Sequence, residues 1–160
     1  MSIAIIDYGA GNTQSVKYAL KRLGCIGVLT SDKEVISNSD KVIFPGVGQA
    51  NSAMRKLKSK GLDLLIPELK QPVLGICLGM QLLFESSTEI KFTKGLNLLK
   101  GNVVHLQSLD EKTIKTSEQI KVPNIGWNNI SLLKFEKSGL KLYTPAGRKK
   151  RPRDLIPELA

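Results

Sequence analysis

The segment Gly75-Ile76-Cys77-Leu78-Gly79 constrains the fold of this 160-residue chain more than any other stretch. It follows a short apolar run, Pro72-Val73-Leu74, and precedes residues whose pattern predicts a helix over 78–86. Where a strand turns sharply into a helix, the side chain at the corner projects away from the sheet. Only small flanking residues then clear the neighbouring backbone. The two glycines meet that demand. Cysteine at such a corner is a strong intrinsic nucleophile. A helix starting just beyond it aims backbone N–H groups and partial positive charge at the sulfur, which favours the thiolate and can bind an oxyanion. The competing reading is a buried cysteine acting as a small apolar side chain, so the rest of the chain has to decide.

The chain opens with a continuous apolar run, Ile3 to Ile6, as a buried parallel strand requires. Asp7-Tyr8-Gly9-Ala10-Gly11-Asn12 then reads as a glycine-rich turn. Val16, Ala19, Leu20 and Leu23 follow on one helical face, closed by Gly24, and Ile26 to Leu29 reads as a second strand. Strand, helix, strand predicts a parallel sheet with a right-handed crossover. Gly9 and Gly11 supply half of a dinucleotide fingerprint, but Gln14 stands where the third glycine belongs. Asp32 lies at about the distance of a ribose-binding carboxylate, though in a polar loop. A tight turn that needs glycine is the better reading.

Lys41-Val42-Ile43-Phe44 predicts a third strand that ends in the turn Pro45-Gly46-Val47-Gly48. Glycine on both sides of Val47 permits a backbone that directs amide N–H groups outward, as a tetrahedral intermediate requires. Ala50, Ala53, Met54 and Leu57 mark an amphipathic helix with Lys56, Lys58 and Lys60 on or near its wet side. Leu62 to Leu69 reads as helical, interrupted by Pro67. Beyond Cys77, Met80, Leu83 and Phe84 form the expected buried side of the next helix. Gln81, one helical turn from Cys77, is either a surface residue or a ligand contact. Gly101 to Leu106 and Ile120 to Trp127 read as strands, and 110–118 as a polar loop.

Hydrophobic residues make up 41% and charged residues 24%, and no apolar stretch reaches membrane-spanning length. No basic leader precedes the first strand, and Cys25 and Cys77 stand too far apart to read as a disulfide framework or a zinc site. A reducing cytoplasm is the expected setting, with no membrane partner. The net charge of +10 is spread over scattered lysines and a run at Arg148-Lys149-Lys150-Arg151-Pro152-Arg153. With aromatics at 5%, stacking platforms for bases are scarce, so nucleic acid is not an expected partner.

Three segments together, the Cys77 corner, Pro45-Gly46-Val47-Gly48 and Val122-Pro123-Asn124-Ile125-Gly126-Trp127-Asn128, resemble the class I (triad) glutamine amidotransferases. Within that family the chain is most similar to the glutaminase subunits of imidazole glycerol phosphate synthase. Ile5-Ile6-Asp7-Tyr8-Gly9-Ala10-Gly11-Asn12 and Gly75-Ile76-Cys77-Leu78-Gly79-Met80-Gln81 carry that closer likeness. The resemblance implies a three-layer α/β fold, flavodoxin-like, with a mostly parallel sheet and helices on both faces, lacking its C-terminal part. It implies Cys77 as the nucleophile toward the glutamine amide. It implies an oxyanion held by N–H groups of Leu78 and of Val47 or Gly48, and substrate contacts from Gly46 and Gln81. Asn12 would face a (β/α)8-barrel cyclase partner that receives the ammonia as the other half of a heterodimer. No cofactor or metal is implied.

The likeness spans residues 2 to about 133, so residues 1–134 are expected to form an incomplete amidotransferase domain and 135–160 a divergent, poorly ordered basic tail. The family's catalytic His, followed two residues on by a Glu, has no counterpart in these residues. The one histidine, His105, falls in a predicted strand, and Asn124 replaces a histidine common in its motif. Impaired turnover and reduced stability are therefore expected. The alternatives are an inactive binding subunit and an ammonia donor to sugar amidination in surface-polysaccharide synthesis.

Overall fold

A computed structural model describes residues 1–105 and, as backbone, the strands at 130–134 and 141–145. The chain divides into two units, Met1–His105 and Leu106–Ala160. The predicted strand at 120–127, the Gly126-Trp127-Asn128 motif, Asn124 and the basic run at 148–153 lie outside the described residues. In the second unit, β8 (Ile130–Lys134) pairs antiparallel with β9 (Lys141–Pro145).

The first unit is built on a four-stranded parallel sheet in the order β2-β1-β3-β4. These strands are β1 (Ile3–Ile6), β2 (Gly27–Thr30), β3 (Lys41–Gly46) and β4 (Val73–Cys77). The alternating side-chain directions of β1 divide the core. Ile3 and Ile5, with Ile43 of β3, pack with Leu20 and Val16 of α1 (Thr13–Arg22). Ala4 and Ile6, with Val42 and Phe44, pack on the other face with Ala53, Met54 and Leu57 of α3 (Ala50–Ser59). Helices therefore cover both faces, and the order is that of a doubly wound, flavodoxin-like sheet. In such sheets the ligand crevice lies outside the carboxyl ends of the strands, where the winding reverses between β1 and β3.

Several elements differ from the sequence expectations for identifiable reasons. The predicted helix over 78–86 is a single turn, α5 (Leu78–Gln81), and β5 (Phe84–Ser87) begins three residues later. Long-range pairing overrides local propensity there. β5 joins β6 (Thr93–Lys94) antiparallel and β7 (Leu99–Val103) parallel in a second sheet. Ser86 donates to Asn102 at 2.6 Å, and the Glu85 carboxylate accepts from Gly101 N at 3.0 Å. β7 accordingly starts two residues before its expected position. A short helix, α2 (Lys33–Ser37), was not expected; Asp32 caps it by accepting from Glu34 N and Val35 N at 2.8 and 3.1 Å. That cap occupies the carboxylate considered for a ribose contact. The expected helix over 62–69 is split, as Pro67 suggested, into α4 (Leu62–Leu65) and a 3₁₀ turn (Ile66–Glu68). Leu23, placed on the buried face of α1 by periodicity, caps the helix instead and is 76% exposed.

Candidate active site

The candidate site forms where β1, β3 and β4 end. Strand β3 runs two residues further than predicted, through Pro45 and Gly46. A proline fits there because β1 pairs with β3 only as far as Ile43, so Pro45 costs no bond to that neighbour. Pairing with β4 continues to the strand ends, with Pro45 opposite Ile76 and Gly46 opposite Cys77. This register brings the two sequence motifs together. Parallel neighbours lie about 4.8 Å apart, so the backbone of Gly46 flanks that of Cys77.

Cys77 ends β4 and starts α5 with φ 53° and ψ −119°, a left-handed value rare for a residue with a Cβ. Such a conformation costs about 1–3 kcal/mol and persists where the surroundings enforce it. Its neighbours supply the enforcement. A Cβ on Gly75 would lie 2.6 Å from Met80 Cα, and one on Gly79 would overlap the Phe44 carbonyl oxygen. Leu78, 1% exposed, anchors the corner in the core with Leu82. Cys77 itself is exposed, whereas Cys25 is partly buried with its thiol toward the Leu23 carbonyl. Of the two cysteines, only the one at the corner stands open to a substrate.

α5 is too short for a summed helix dipole of the kind the sequence implied. No side chain caps its first turn, whose N–H groups have no acceptor within the helix itself. Gly46 is buried, while Val47 is 52% exposed and Gly48 holds φ +90° with open space around it. The chain thus passes from a tightly packed strand end to a free turn within two residues. Gln81 ends α5 half-buried. Asn12 is exposed, and its side chain caps α1 by accepting from Ser15 N at 3.1 Å. His105 lies two residues beyond β7.

Three residues of this region escaped the sequence reading. Tyr8 is 1% exposed, packs its ring against Phe44, and donates its hydroxyl to the Pro45 carbonyl at 2.9 Å. Burial, with the nearby charge of Cys77 adding to it, pushes its phenol up to about 12. Lys56 and Lys60, expected on the wet side of α3, reach back to the first turn. Their ammonium groups donate to the carbonyls of Gly9 at 2.6 Å and Asp7 at 2.8 Å. The available signal is an aromatic inside a glycine-rich turn, but only the fold shows what it and the two lysines touch. A shallow cleft beside the site is lined by Gln49, Asn51, Ser87, Glu89, Lys91 and Thr93. No helix among the described residues is long and apolar enough to cross a membrane.

Comparison with known proteins agrees with this architecture. The family model for glutamine amidotransferase class-I matches residues 4–144. A Bacteroides fragilis protein named imidazole glycerol phosphate synthase subunit HisH is 51% identical over 139 residues, covering 85% of this chain and 65% of that protein. Proteins of the same name from Bacteroides thetaiotaomicron and Geobacillus kaustophilus are 48% and 49% identical, over 81% and 80% of this chain. The chain spans 65%, 62% and 60% of the lengths of these three relatives.

Proposed function

The chain belongs to the class-I glutamine amidotransferase family, and we propose that it carries the nucleophile half of a glutaminase that supplies ammonia for histidine biosynthesis. The observation that carries the reading is the register of Gly46 opposite Cys77, which sets a turn able to donate N–H groups beside an exposed, strained cysteine. In this reading the Cys77 sulfur attacks the side-chain amide carbon of glutamine. The carbonyl electron pair moves to oxygen, where N–H groups of Leu78 and of Val47 or Gly48 hold the negative charge. Collapse expels the amide nitrogen, protonated to ammonia, and leaves a thioester that water cleaves to glutamate, regenerating the thiol. Gly46 and Gln81 border the substrate. Asn12, exposed at the mouth of the same strand ends, faces a (β/α)8-barrel cyclase with which the chain forms a heterodimer in the cytoplasm.

Two proton transfers in this scheme need a base and an acid, and these 160 residues contain a single histidine, His105. The family resemblance assigns the role to a His and a Glu two residues on, near the C-terminus. Removing a triad base costs several orders of magnitude in rate. The test is a chimera: residues 1–134 joined to the C-terminal third of the Bacteroides fragilis relative, assayed for glutamate release from glutamine with a cyclase present. The reading expects turnover in the chimera that is abolished by Cys77→Ala, and near-background release from the 160 residues alone. A folded chimera without turnover would overturn it. The single histidine, which has no Glu two residues on, favours a second reading in which the 160 residues act as a binding subunit only; a chimera that binds the cyclase but releases no glutamate would support it.

A further inference from the structure

We propose that Tyr8 is a positioning residue for the oxyanion turn, its buried hydroxyl fixing the Pro45–Gly46 peptide so that any rearrangement of the turn is confined to the peptides on either side of Val47. The inference rests on the glutaminase reading above. The Pro45 carbonyl and the Gly46 N–H belong to one planar peptide unit, so holding the first sets the direction of the second. Tyr8 donates to that carbonyl at 2.9 Å from a fully buried position. The ring is held in turn by its tilted contact with Phe44, centroids 5.5 Å apart.

Gly46 is wedged between this hydroxyl and the start of α5. A Cβ placed on it would lie 2.7 Å from the Tyr8 oxygen and 2.9 Å from Leu78 Cβ. Gly46 is thus closely packed on its Cβ side, and the carbonyl of the peptide ahead of it is held by the Tyr8 hydroxyl. Two residues on, the constraint is gone: Gly48 has open space around it and a positive φ. Tyr8 thus marks the boundary between the fixed and the movable parts of the segment. A phenol is protonated throughout the neutral range, and burial moves this one's titration further from it, so the hydroxyl remains a donor. Loss of the hydroxyl would leave the Pro45 carbonyl without this donor and let the boundary slip back into β3.

The test compares the chain with its Tyr8→Phe variant using two alkylating reagents. In 6-diazo-5-oxo-L-norleucine, a glutamine analogue, the ketone oxygen takes the place of the amide oxygen. Sulfur adds to the ketone carbon, whose carbonyl electron pair moves to oxygen; the diazo carbon takes a proton from solvent, sulfur shifts to that carbon as dinitrogen leaves with the C–N electron pair, and the carbonyl re-forms. Iodoacetamide alkylates the same sulfur by displacing iodide without needing the turn. Loss of an oxyanion donor typically costs 10²–10³ in rate, so loss of its positioning should slow the diazoketone about tenfold and change the iodoacetamide rate less than about twofold. Equal diazoketone rates in the chain and Tyr8→Phe would overturn the proposal. If the unsubstituted chain itself shows no preference of the diazoketone for Cys77 over Cys25, the glutaminase reading fails instead.

Amide hydrogen exchange on the unsubstituted chain is independent of how well the variant folds. Slow exchange at Gly46 with fast exchange at Gly48 is the expected pattern. Exchange at Gly46 as fast as at Gly48 would also overturn the proposal.

Discussion

Gly79→Ala tests the packing that creates the Cys77 corner. The added methyl would meet three backbone atoms of β3, overlapping the Phe44 carbonyl oxygen and lying 2.8 Å from Phe44 C and 3.1 Å from Pro45 C. Main-chain atoms in a paired strand cannot rotate aside, so either α5 lifts or β3 shifts, and both carry candidate site residues. Overpacking of this kind costs about 1–3 kcal/mol, and the rigidity of the neighbours puts Gly79 at the upper end. Alanine returns about 0.4–1 kcal/mol by narrowing the unfolded ensemble, leaving a net loss of about 2 kcal/mol. At about 2–4 °C per kcal/mol for a domain of this size, Tm falls by about 4–8 °C. Gly24→Ala is the control. Gly24 has φ +69° with nothing near a built Cβ, so its variant bears only left-handed strain of about 1–2 kcal/mol. Thermal melts by circular dichroism, paired with the rate of Cys77 alkylation by iodoacetamide, separate the two. Gly79→Ala should lower both Tm and the selectivity for Cys77, and Gly24→Ala should leave the alkylation unchanged. A Gly79→Ala protein that melts within a degree of the unsubstituted chain and keeps its Cys77 reactivity would refute the packing argument.

Other substitutions probe separate parts of the account. Leu57→Ala empties a fully buried position in the larger core cluster and should cost about 2–5 kcal/mol, read by urea denaturation. Asp32→Ala removes the α2 cap and should cost about 1 kcal/mol; because that carboxylate is spent on the cap, NAD should not raise Tm in either protein. The raised phenol of Tyr8 gives a pH signature. Its folded value, about 12, exceeds the ordinary value near 10, so its contribution is complete below about pH 10 and is lost as pH rises toward 12. The difference in Tm between the chain and Tyr8→Phe should therefore shrink over that interval; a difference independent of pH would count against the buried-donor assignment.

How far the sequence could be read depended on whether a feature was local. The apolar run Ile3 to Ile6, the i, i+3, i+4, i+7 spacing of Ala50, Ala53, Met54 and Leu57, and the glycines around Cys77 each state their structure within a few residues, and all three correspond to observed elements. The end of α5 was hidden because it is set by pairing with β7, about 16 residues away, through Ser86 and Asn102. The role of Asp32 stayed open, because spacing alone does not distinguish a ribose carboxylate from a helix cap. The contact of Tyr8 with Pro45 spans 37 residues, and no periodicity predicts it. The adjacency of the two site motifs was implied by resemblance; its physical basis, the register of β3 against β4, required the fold.

The most direct test of the account is to map the adduct formed by 6-diazo-5-oxo-L-norleucine on the 160-residue chain by mass spectrometry, with and without competing glutamine. A glutamine-directed nucleophile at Cys77 predicts one adduct, on Cys77, formed more slowly as glutamine is added and absent from Cys77→Ser. Labelling of Cys25 at a comparable rate, or a Cys77 rate indifferent to glutamine, would contradict it.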